Sequence, residues 1–153
     1  GTRDVQQQAF ELLETNLDDL TPELAGYLME SLFDAGALDV WITPIQMKKN
    51  RPGFMVSALV DCAQKGKIES VLLAESSALG IRHRPVDRTT LKRGTTEVET
   101  PWGPVPVKVA ERDGCIINIA PEFEPCAALA RQTGVPLKVI FQHAVTAYYA
   151  EHD

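Results

Sequence analysis

The sequence predicts an α+β fold in which a ferredoxin-like βαββαβ unit is followed by a smaller subdomain of a β-hairpin, a further strand and two C-terminal helices. Strand-like and helix-like apolar patterns alternate in the order βαββαβ over about the first ninety residues. Right-handed crossovers in that order place both helices on one face of an antiparallel sheet. After residue 91 the pattern changes to paired strands and then to helices, so we expect subdomains over 1–91 and 92–153.

The elements of the first subdomain follow from apolar spacing and from the residues that begin and end helices. Thr21-Pro22-Glu23 predicts a helix start, because a hydroxyl caps free N–H groups and proline suits the first helical position. Gly36 predicts its end, since glycine readily adopts the left-handed conformation. The predicted elements are strands over 8–15, 39–46, 54–60 and 81–89 and helices over 22–35 and 64–79, with a long basic loop between the second and third strands.

The second subdomain begins with a hairpin around Pro101-Trp102-Gly103-Pro104. A further strand is expected over 115–119, and a helix over 122–132 that stops at Gly134. The last helix starts at Pro136 and should carry an apolar stripe formed by Val139, Ile140, His143, Ala144 and Tyr148.

Composition excludes several classes of protein. The 153 residues are 44% apolar and 24% charged, which is typical of a compact globular domain. The net charge of −6 argues against a surface devoted to DNA or RNA. No apolar run approaches the roughly 20 residues that cross a bilayer, so we expect a cytoplasmic protein with no membrane partner. The cysteines, Cys62, Cys115 and Cys126, lack C-x-x-C spacing and are expected to be reduced, mostly buried thiols.

An acidic turn between the first strand and the first helix is a candidate metal site. Asn16, Asp18 and Asp19 carry amide and carboxylate oxygens, which are the ligands that magnesium and manganese prefer. Residues of these types also cap helices and shape turns, so a purely structural role is the alternative.

A cationic segment between the second and third strands is a candidate phosphate site. Lys48, Lys49 and Arg51 concentrate positive charge just before Pro52-Gly53. The proline and glycine shape the backbone there. The pattern differs from the G-x-x-x-x-G-K-[ST] of a P-loop, so any phosphate would be bound by side chains. The alternative is a solvated hairpin loop.

A row of arginines marks the fourth predicted strand. Arg82, Arg84 and Arg88 have even spacing, which directs all three side chains to one face of a strand. Such a row repels itself, so we expect either a bound anion or acids on neighbouring strands. Further cations continue the basic character, namely Lys92, Arg93, Lys108 and Arg112.

Other chemistry has little support in the sequence. His83, His143 and His152 share no metal-ligand spacing, and His143 is expected to pack or to lie at an interface. No serine or cysteine has a base whose placement the sequence shows, so no catalytic residue is assigned.

Several long segments closely resemble the C-terminal region of the LarC family, the pyridinium-3,5-bisthiocarboxylic acid mononucleotide nickel insertion proteins. Together they span nearly the whole chain. They are Glu14–Glu23 (ETNLDDLTPE), Asp34–Val40 (DAGALDV), Pro44–Gly53 (PIQMKKNRPG), Leu79–Arg82 (LGIR), Thr100–Val109 (TPWGPVPVKV) and Pro121–Glu124 (PEFE).

This resemblance implies a CTP-dependent nickel-inserting lyase, a cyclometallase that makes the nickel-pincer cofactor of lactate racemase. It implies that the C-terminal domain binds CTP with Mn²⁺ or Mg²⁺, that CTP becomes CMP and pyrophosphate, and that Ni²⁺ is inserted into a pyridinium dithiocarboxylate mononucleotide. The family's N-terminal domain is an expected partner. On this basis we expect metal contact from Asn16, Asp18 and Asp19, and phosphate or nucleotide contact from Lys48, Lys49, Arg51, Arg82, Arg84 and Lys108.

The alternative function is a non-catalytic, nucleotide- or anion-sensing regulatory module, because ferredoxin-like domains often bind ligands between subunits. An RNA-binding role is disfavoured, since the first and third strands lack an aromatic stacking pair. The amphipathic last helix, with Tyr148 and Tyr149, is expected to cover a neighbouring subunit's sheet edge in a homo-oligomer, a trimer or a hexamer.

Overall fold

The computed structural model describes residues 9–152, which form two compact units over 9–88 and 89–152. Gln8, the first residue of the first predicted strand, lies outside the described residues.

The first unit is a four-stranded antiparallel sheet with the strand order β2-β3-β1-β4. Its elements are β1 (Phe10–Leu17), α1 (Pro22–Asp34), β2 (Asp39–Met47), β3 (Arg51–Asp61), α2 (Lys65–Ala74) and β4 (Arg82–Val86), with short 3-10 turns at Lys48–Asn50 and Cys62–Gln64. This strand order with two crossover helices is the ferredoxin-like arrangement, so the predicted fold class is confirmed.

One face of this sheet packs on both helices. Leu13 and Leu17 of β1 are buried there with Leu28 of α1 and Leu72 of α2, in one continuous apolar cluster. Full burial of each such leucine stabilises the fold by roughly 1.5–3 kcal/mol. Because side chains alternate along a strand, the residues between them, such as Glu14, lie on the helix-free face.

The first helix begins as its sequence predicts. The Oγ1 of Thr21 accepts a hydrogen bond from the Leu24 amide at 3.3 Å, and Pro22 occupies the first turn. Gly36 follows the helix with a φ of 106°, in the region that favours glycine.

The second helix is shorter than expected, because it ends at Ala74 instead of residue 79. The hydroxyl of Ser76 donates to the Leu72 carbonyl and accepts from the Ala78 amide. This hydroxyl therefore replaces backbone hydrogen bonds that would continue the helix.

The expected long basic loop between β2 and β3 is also wrong. Strand pairing continues to the Met47–Arg51 pair, so only the three residues Lys48–Asn50 connect the strands. The cationic segment is thus a tight turn, and the hydrogen-bonded pairing of β2 with β3 fixes both of its ends.

The prediction that Arg82, Arg84 and Arg88 share one face of the fourth strand is only partly correct. The strand β4 ends at Val86, so Arg88 lies beyond it. The Arg88 guanidinium lies over the ring of Phe10, 5.4 Å from the ring centroid, as in a cation–π contact.

The second unit is a three-stranded antiparallel sheet, ordered β5-β6-β7, with two helices. Its elements are β5 (Lys92–Thr100), β6 (Gly103–Arg112), β7 (Cys115–Pro121), α3 (Phe123–Thr133) and α4 (Leu137–Glu151). The predicted hairpin, strand and helices are confirmed, and Gly134 ends α3 with a φ of 73°.

The core of the second unit joins the helices to one face of this sheet. Ile140 and Tyr148 of α4 pack with Val105 and Val107 of β6 and with Cys126 of α3. Of the two tyrosines expected to cover a neighbouring subunit, Tyr148 is thus buried in its own unit and Tyr149 is exposed. The expectation of mostly buried thiols is wrong, because Cys62 and Cys115 are exposed and only Cys126 is buried. Burial raises the pKa of the Cys126 thiol. His143 lies outside this buried set and packs edge-on against Trp102, with 4.8 Å between ring centroids. Among the described residues, no helix is long and apolar enough to span a membrane.

Candidate functional site

The candidate site is built on the helix-free face of the first sheet. Strand alternation places Glu14 and Asn16 on this face, and the strand register sets Glu14 opposite Ser57 of β3 and Arg82 of β4. A polar row therefore crosses three strands of the sheet. Asn16 lies inside β1, whereas the sequence suggested a turn there.

Glu14 is the anchor of this row. It is 9% exposed, and its Oε1 lies 3.1 Å from Nη1 of Arg84, while its Oε2 lies 3.5 Å from Nη2 of Arg82. The sequence left two explanations for the arginines, a bound anion or an acid on a neighbouring strand. The second holds for both Arg82 and Arg84, because both pair with Glu14. Two guanidinium groups share one carboxylate, so this group of three side chains keeps one net positive charge.

The acidic turn contacts both cationic segments. The Oδ1 of Asn16 accepts a hydrogen bond from Nη2 of Arg82 at 2.9 Å. Two residues after Asn16, the Oδ2 of Asp18 lies 3.3 Å from Nη1 of Arg51. The structure therefore brings together five of the predicted residues, namely Asn16, Asp18, Arg51, Arg82 and Arg84.

The hairpin turn beside them has an unusual backbone. Lys49 has a φ of 60° and Asn50 a φ of 59°, in the left-handed region. For a residue such as lysine this conformation costs roughly 1–2 kcal/mol. The Asn50 side chain supports the turn, since its Oδ1 accepts a hydrogen bond of 2.9 Å from Gln46 Nε2. Lys48 and Lys49 are exposed, and neither has an ion-pair partner among the described residues.

A glycine is required next to this turn. A Cβ added at Gly53 would lie 2.7 Å from the carbonyl oxygen of Leu17 and 2.5 Å from Sδ of Met47. The start of β3 therefore lies close against the end of β1. Beside them opens a cavity of about 530 Å³ that Asp18 lines together with Pro44, Gln46 and Phe54.

Asp19 has different surroundings from Asp18. Its Oδ1 accepts a hydrogen bond of 2.6 Å from the Ser77 hydroxyl. Asp19 lines a separate cavity of about 280 Å³ with Leu24 and Ser77. The two consecutive carboxylates consequently do not meet at one point in this structure.

The donor set suits a hard cation only in part. Residues 9–152 contain no group of three His, Cys, Asp or Glu side chains arranged to hold a metal ion. Asp18 uses Oδ2 for Arg51, which leaves Oδ1 for a cation. Because Mg²⁺ is commonly held by one or two carboxylates plus phosphate oxygens, this arrangement fits a metal that arrives with a polyphosphate.

A second ionic cluster lies on the helix-bearing face of the same sheet. Nζ of Lys65 lies 2.9 Å from Oε2 of Glu11 and 3.2 Å from Nδ1 of His83. The hydrogen bond from Lys65 lowers the pKa of Glu11 below its ordinary value of 4.5, against an opposing effect of burial. The same bond raises the pKa of Lys65 above 10.5. These pairings give the cluster a structural role.

Lys108, the remaining predicted phosphate ligand, belongs to the second unit. It lies on β6, opposite Thr95 of β5 and Ala120 of β7. The residues around Lys108 therefore come from the β5-β6-β7 sheet.

The sequence reasoning missed the part played by Glu14 and Ser57. Glu14 is a charged residue inside an apolar strand segment, LLET, which was the available signal. The Oγ of Ser57, buried beside it, has no hydrogen-bond partner among residues 9–152. Nothing in the sequence of β3 marks that serine.

These features define a ferredoxin-like α+β unit with a cationic face, the helix-free sheet face that carries Arg82 and Arg84. Asp18, in the acidic turn beside it, lines a cavity of about 530 Å³. A family model for the nickel insertion protein matches residues 1–141. The chain belongs to the nickel insertion protein family.

Individual relatives agree with this membership. A nickel insertion protein of Pelobacter propionicus is 53% identical over 129 residues, which are 84% of this chain and 33% of the relative. The pyridinium-3,5-bisthiocarboxylic acid mononucleotide nickel insertion protein of Thermotoga petrophila is 46% identical over 130 residues, 85% of this chain and 33% of the relative. The chain therefore spans about a third of the length of the curated relatives that it matches.

Solved structures give the same result for the fold. One is the apo form of LarC2, the C-terminal domain of a cyclometallase involved in the synthesis of the NPN cofactor of lactate racemase. It superposes with a TM-score of 0.86 at 39% identity, covering 92% of this chain and 96% of that one. A protein from Methanopyrus kandleri shares the fold, with a TM-score of 0.70 at 22% identity, over 96% of this chain and 92% of that one. Over nearly its whole length the chain therefore has the fold of LarC2, the C-terminal domain of that cyclometallase.

Proposed function

We propose that this chain is the CTP- and divalent-metal-binding domain of a nickel insertase that makes the nickel-pincer nucleotide cofactor of lactate racemase. Family membership and the names of the relatives support the nickel insertion. The contacts that join Asp18 to Arg51 and Asn16 to Arg82 support the nucleotide site, because they set metal-binding oxygens beside two groups of cations.

In this proposal the triphosphate lies along the cationic face. Arg82 and Arg84 supply planar guanidinium groups that suit phosphate oxygens, and the hairpin turn adds point charges from its lysines. A triphosphate carries more negative charge than Glu14, so it would draw the two arginines from that shared carboxylate. The proposed ligands of the triphosphate are Lys48, Lys49, Arg51, Arg82 and Arg84. Lys108, which belongs to the second unit, is proposed to contact the phosphate of a separate nucleotide.

Mn²⁺ or Mg²⁺ would be held by Asp18, with Asn16 in support and phosphate oxygens completing the coordination. When bound, the cation neutralises charge on the triphosphate. Asp19 would join the same cation only after its side chain leaves Ser77, because the two now share a hydrogen bond.

The proposed reaction consumes CTP. Water adds to the α-phosphorus and the bond from that phosphorus to the bridging oxygen breaks, so that CTP and water give CMP and pyrophosphate. Charge builds up on the departing pyrophosphate, where nearby cations stabilise the transition state. No side chain is assigned as the catalytic base. Ni²⁺ is a substrate, inserted into the pyridinium dithiocarboxylate mononucleotide by the full-length protein.

The domain is further proposed to assemble as a homo-oligomer, a trimer or a hexamer. The first unit exposes large apolar side chains on α1, with Leu24 at 53% and Tyr27 at 57% of full exposure. Light scattering on the purified chain would give the mass, and a monomer at micromolar concentration would contradict this part of the proposal.

The decisive experiment is a calorimetric titration of the chain with CTP and Mn²⁺. Arg84→Ala should weaken binding at least about tenfold, the worth of one charge-assisted hydrogen bond. Arg131→Ala on the exposed surface of α3 removes the same charge and serves as the matched control. Equal affinity of wild type and Arg84→Ala, with an unchanged melting temperature, would remove Arg84 from the site.

Product analysis separates the enzyme from the sensing module. The full-length protein supplied with CTP, Mn²⁺, Ni²⁺ and the mononucleotide should release CMP and pyrophosphate in equal amounts. Tight CTP binding without any CMP would instead support the regulatory alternative.

A further inference from the structure

A further cavity, of about 430 Å³, lies within the second unit. Arg93, Thr95, Lys108 and Asn118 line it, together with Glu122 at the start of α3. Strand alternation places these side chains opposite the buried face of the sheet, because Val107 and Val109 point the other way. The cavity therefore opens on the outer surface of the β5-β6-β7 sheet.

The strand register brings the two cations together. Arg93 is opposite Ala110, and Lys108 is two residues before Ala110 on β6. Diagonal neighbours of this kind are roughly 7–8 Å apart, which is within the reach of a single phosphate group for long side chains. On β7, Asn118 is also opposite Ala110 and completes the row.

These polar groups have unused bonding capacity. Among residues 9–152, Arg93 and Lys108 have no ion-pair partner, in contrast to Arg82 and Arg84, which share Glu14. The side-chain amide of Asn118 likewise makes no hydrogen bond to any residue of 9–152. Adjacent like charges without an acid between them repel, and an anion would relieve that repulsion.

The rest of the cavity differs in character. Ala110 and Ala120 contribute only methyl groups, which leaves an open apolar floor where a flat ring can lie. Glu122 adds one carboxylate, and its backbone amide donates a 2.9 Å hydrogen bond to the Pro106 carbonyl, which fixes the start of α3 against β6. Two cations, an apolar floor and one acid thus share a single cavity.

We propose that this cavity binds a pyridinium mononucleotide. Arg93 and Lys108 hold the phosphate, the alanine floor supports the ring, and Glu122 faces the positive charge of the pyridinium. The proposal deepens the proposed function, since it assigns the acceptor of the metal to the second unit and CTP to the first.

The test uses nicotinate mononucleotide, a pyridinium mononucleotide with one carboxylate, as a stable probe in calorimetric titrations of the whole chain. Arg93→Ala/Lys108→Ala should weaken its binding at least about tenfold, whereas Lys67→Ala/Arg131→Ala, which removes two exposed cations elsewhere, should not. Melting temperatures establish that all variants are folded. Absence of probe binding to the wild type at millimolar concentration, or equal binding by both double variants, would overturn the proposal.

A titration with CTP and Mn²⁺ on the same variants separates this inference from the proposed function. CTP affinity should survive Arg93→Ala/Lys108→Ala and fall in Arg84→Ala. Loss of CTP binding in the Arg93→Ala/Lys108→Ala variant, with probe binding kept, would make the cavity a triphosphate site and overturn the inference alone. Probe binding by a chain that never binds CTP would support the inference and contradict the proposed function.

The carboxylate has its own test. Glu122→Gln should reduce the preference for nicotinate mononucleotide over ribose 5-phosphate, because only the former carries a cationic ring. An unchanged ratio of the two affinities would show that the site binds phosphate monoesters without regard to the ring, which overturns the pyridinium assignment.

Discussion

The Arg51 guanidinium lies 3.3 Å from the Asp18 carboxylate, so an ion pair joins the hairpin turn to the end of β1. Both side chains are substantially exposed, at 60% and 38%. A pair of this kind contributes only about 0–1 kcal/mol to stability, which leaves both groups available for a ligand.

Asp18→Asn is accordingly expected to change metal-dependent binding more than stability. CTP affinity in Mn²⁺ should fall at least about tenfold, because a metal-binding carboxylate is lost. CTP affinity without metal should stay the same or rise, since Arg51 is freed. Calorimetry with and without Mn²⁺ checks this, and Asp87→Asn is the matched control. An equal loss in both conditions would contradict metal contact by Asp18.

Glu14→Gln should lower the stability of the fold while it raises the affinity for CTP. Loss of the carboxylate shared by Arg82 and Arg84 is expected to cost about 1–2 kcal/mol, discounted because both arginines are largely exposed. CTP should bind severalfold more tightly at low salt, because the triphosphate no longer competes with Glu14. Urea denaturation and calorimetry measure the two effects, and weaker CTP binding would argue that Glu14 supports the ligand.

Lys49→Gly should stabilise the fold while weakening CTP binding. Glycine relieves the left-handed strain at this position, although its flexible unfolded state offsets part of the gain, so we expect up to about 1 kcal/mol. The melting temperature should rise by a few degrees. Asn50→Gly removes no charge and should leave CTP affinity unchanged, although it should gain less stability, because asparagine tolerates this conformation and here accepts a hydrogen bond from Gln46. A destabilised Lys49→Gly would mean that the lysine makes contacts that outweigh its strain.

The Glu11–Lys65 pair predicts how stability depends on pH. The lowered pKa of Glu11 means that its contribution is present above pH 4.5 and is lost as the pH falls through the lowered value. The raised pKa of Lys65 means that its contribution is present below pH 10.5 and is lost as the pH rises through the raised value. Glu11→Gln should thus be less stable than wild type at pH 7, by a deficit that shrinks toward pH 3.

Denaturation midpoints at a series of pH values measure this effect, and Glu30→Gln on α1 is the control. A deficit that is constant from pH 7 to pH 3 would show that Glu11 acts through packing alone.

Local chemistry made much of the fold predictable. The Thr21 cap and the stops at Gly36 and Gly134 follow from one or two residues each, and chain order with crossover handedness gives the sheet. The end of α2 was not predictable in this way. It depends on where the Ser76 hydroxyl bonds, and serine is compatible with both helix and turn.

The candidate site was predictable in its parts but not in its pairings. Cations and acids were visible, whereas the sharing of Glu14 by two arginines depends on the β1–β4 register, which the sequence leaves open. Strand alternation did contain one unused signal. Residues two apart share a face, so Asn16 and Asp18 belong together and Asp19 lies apart.

Because the turn between β2 and β3 has only three residues, the β2–β3 pairing determines the direction in which Lys48 and Lys49 project. Adding one residue to either strand would invert which side chains face the core, because alternation has a period of two. An insertion within β2 or β3 would expel Val40 or Val56 from the interior or force a bulge that redirects the lysines, whereas an insertion within Lys48–Asn50 would only lengthen the turn. Length variation in these strands should therefore be far more damaging than a change of residue type at the turn.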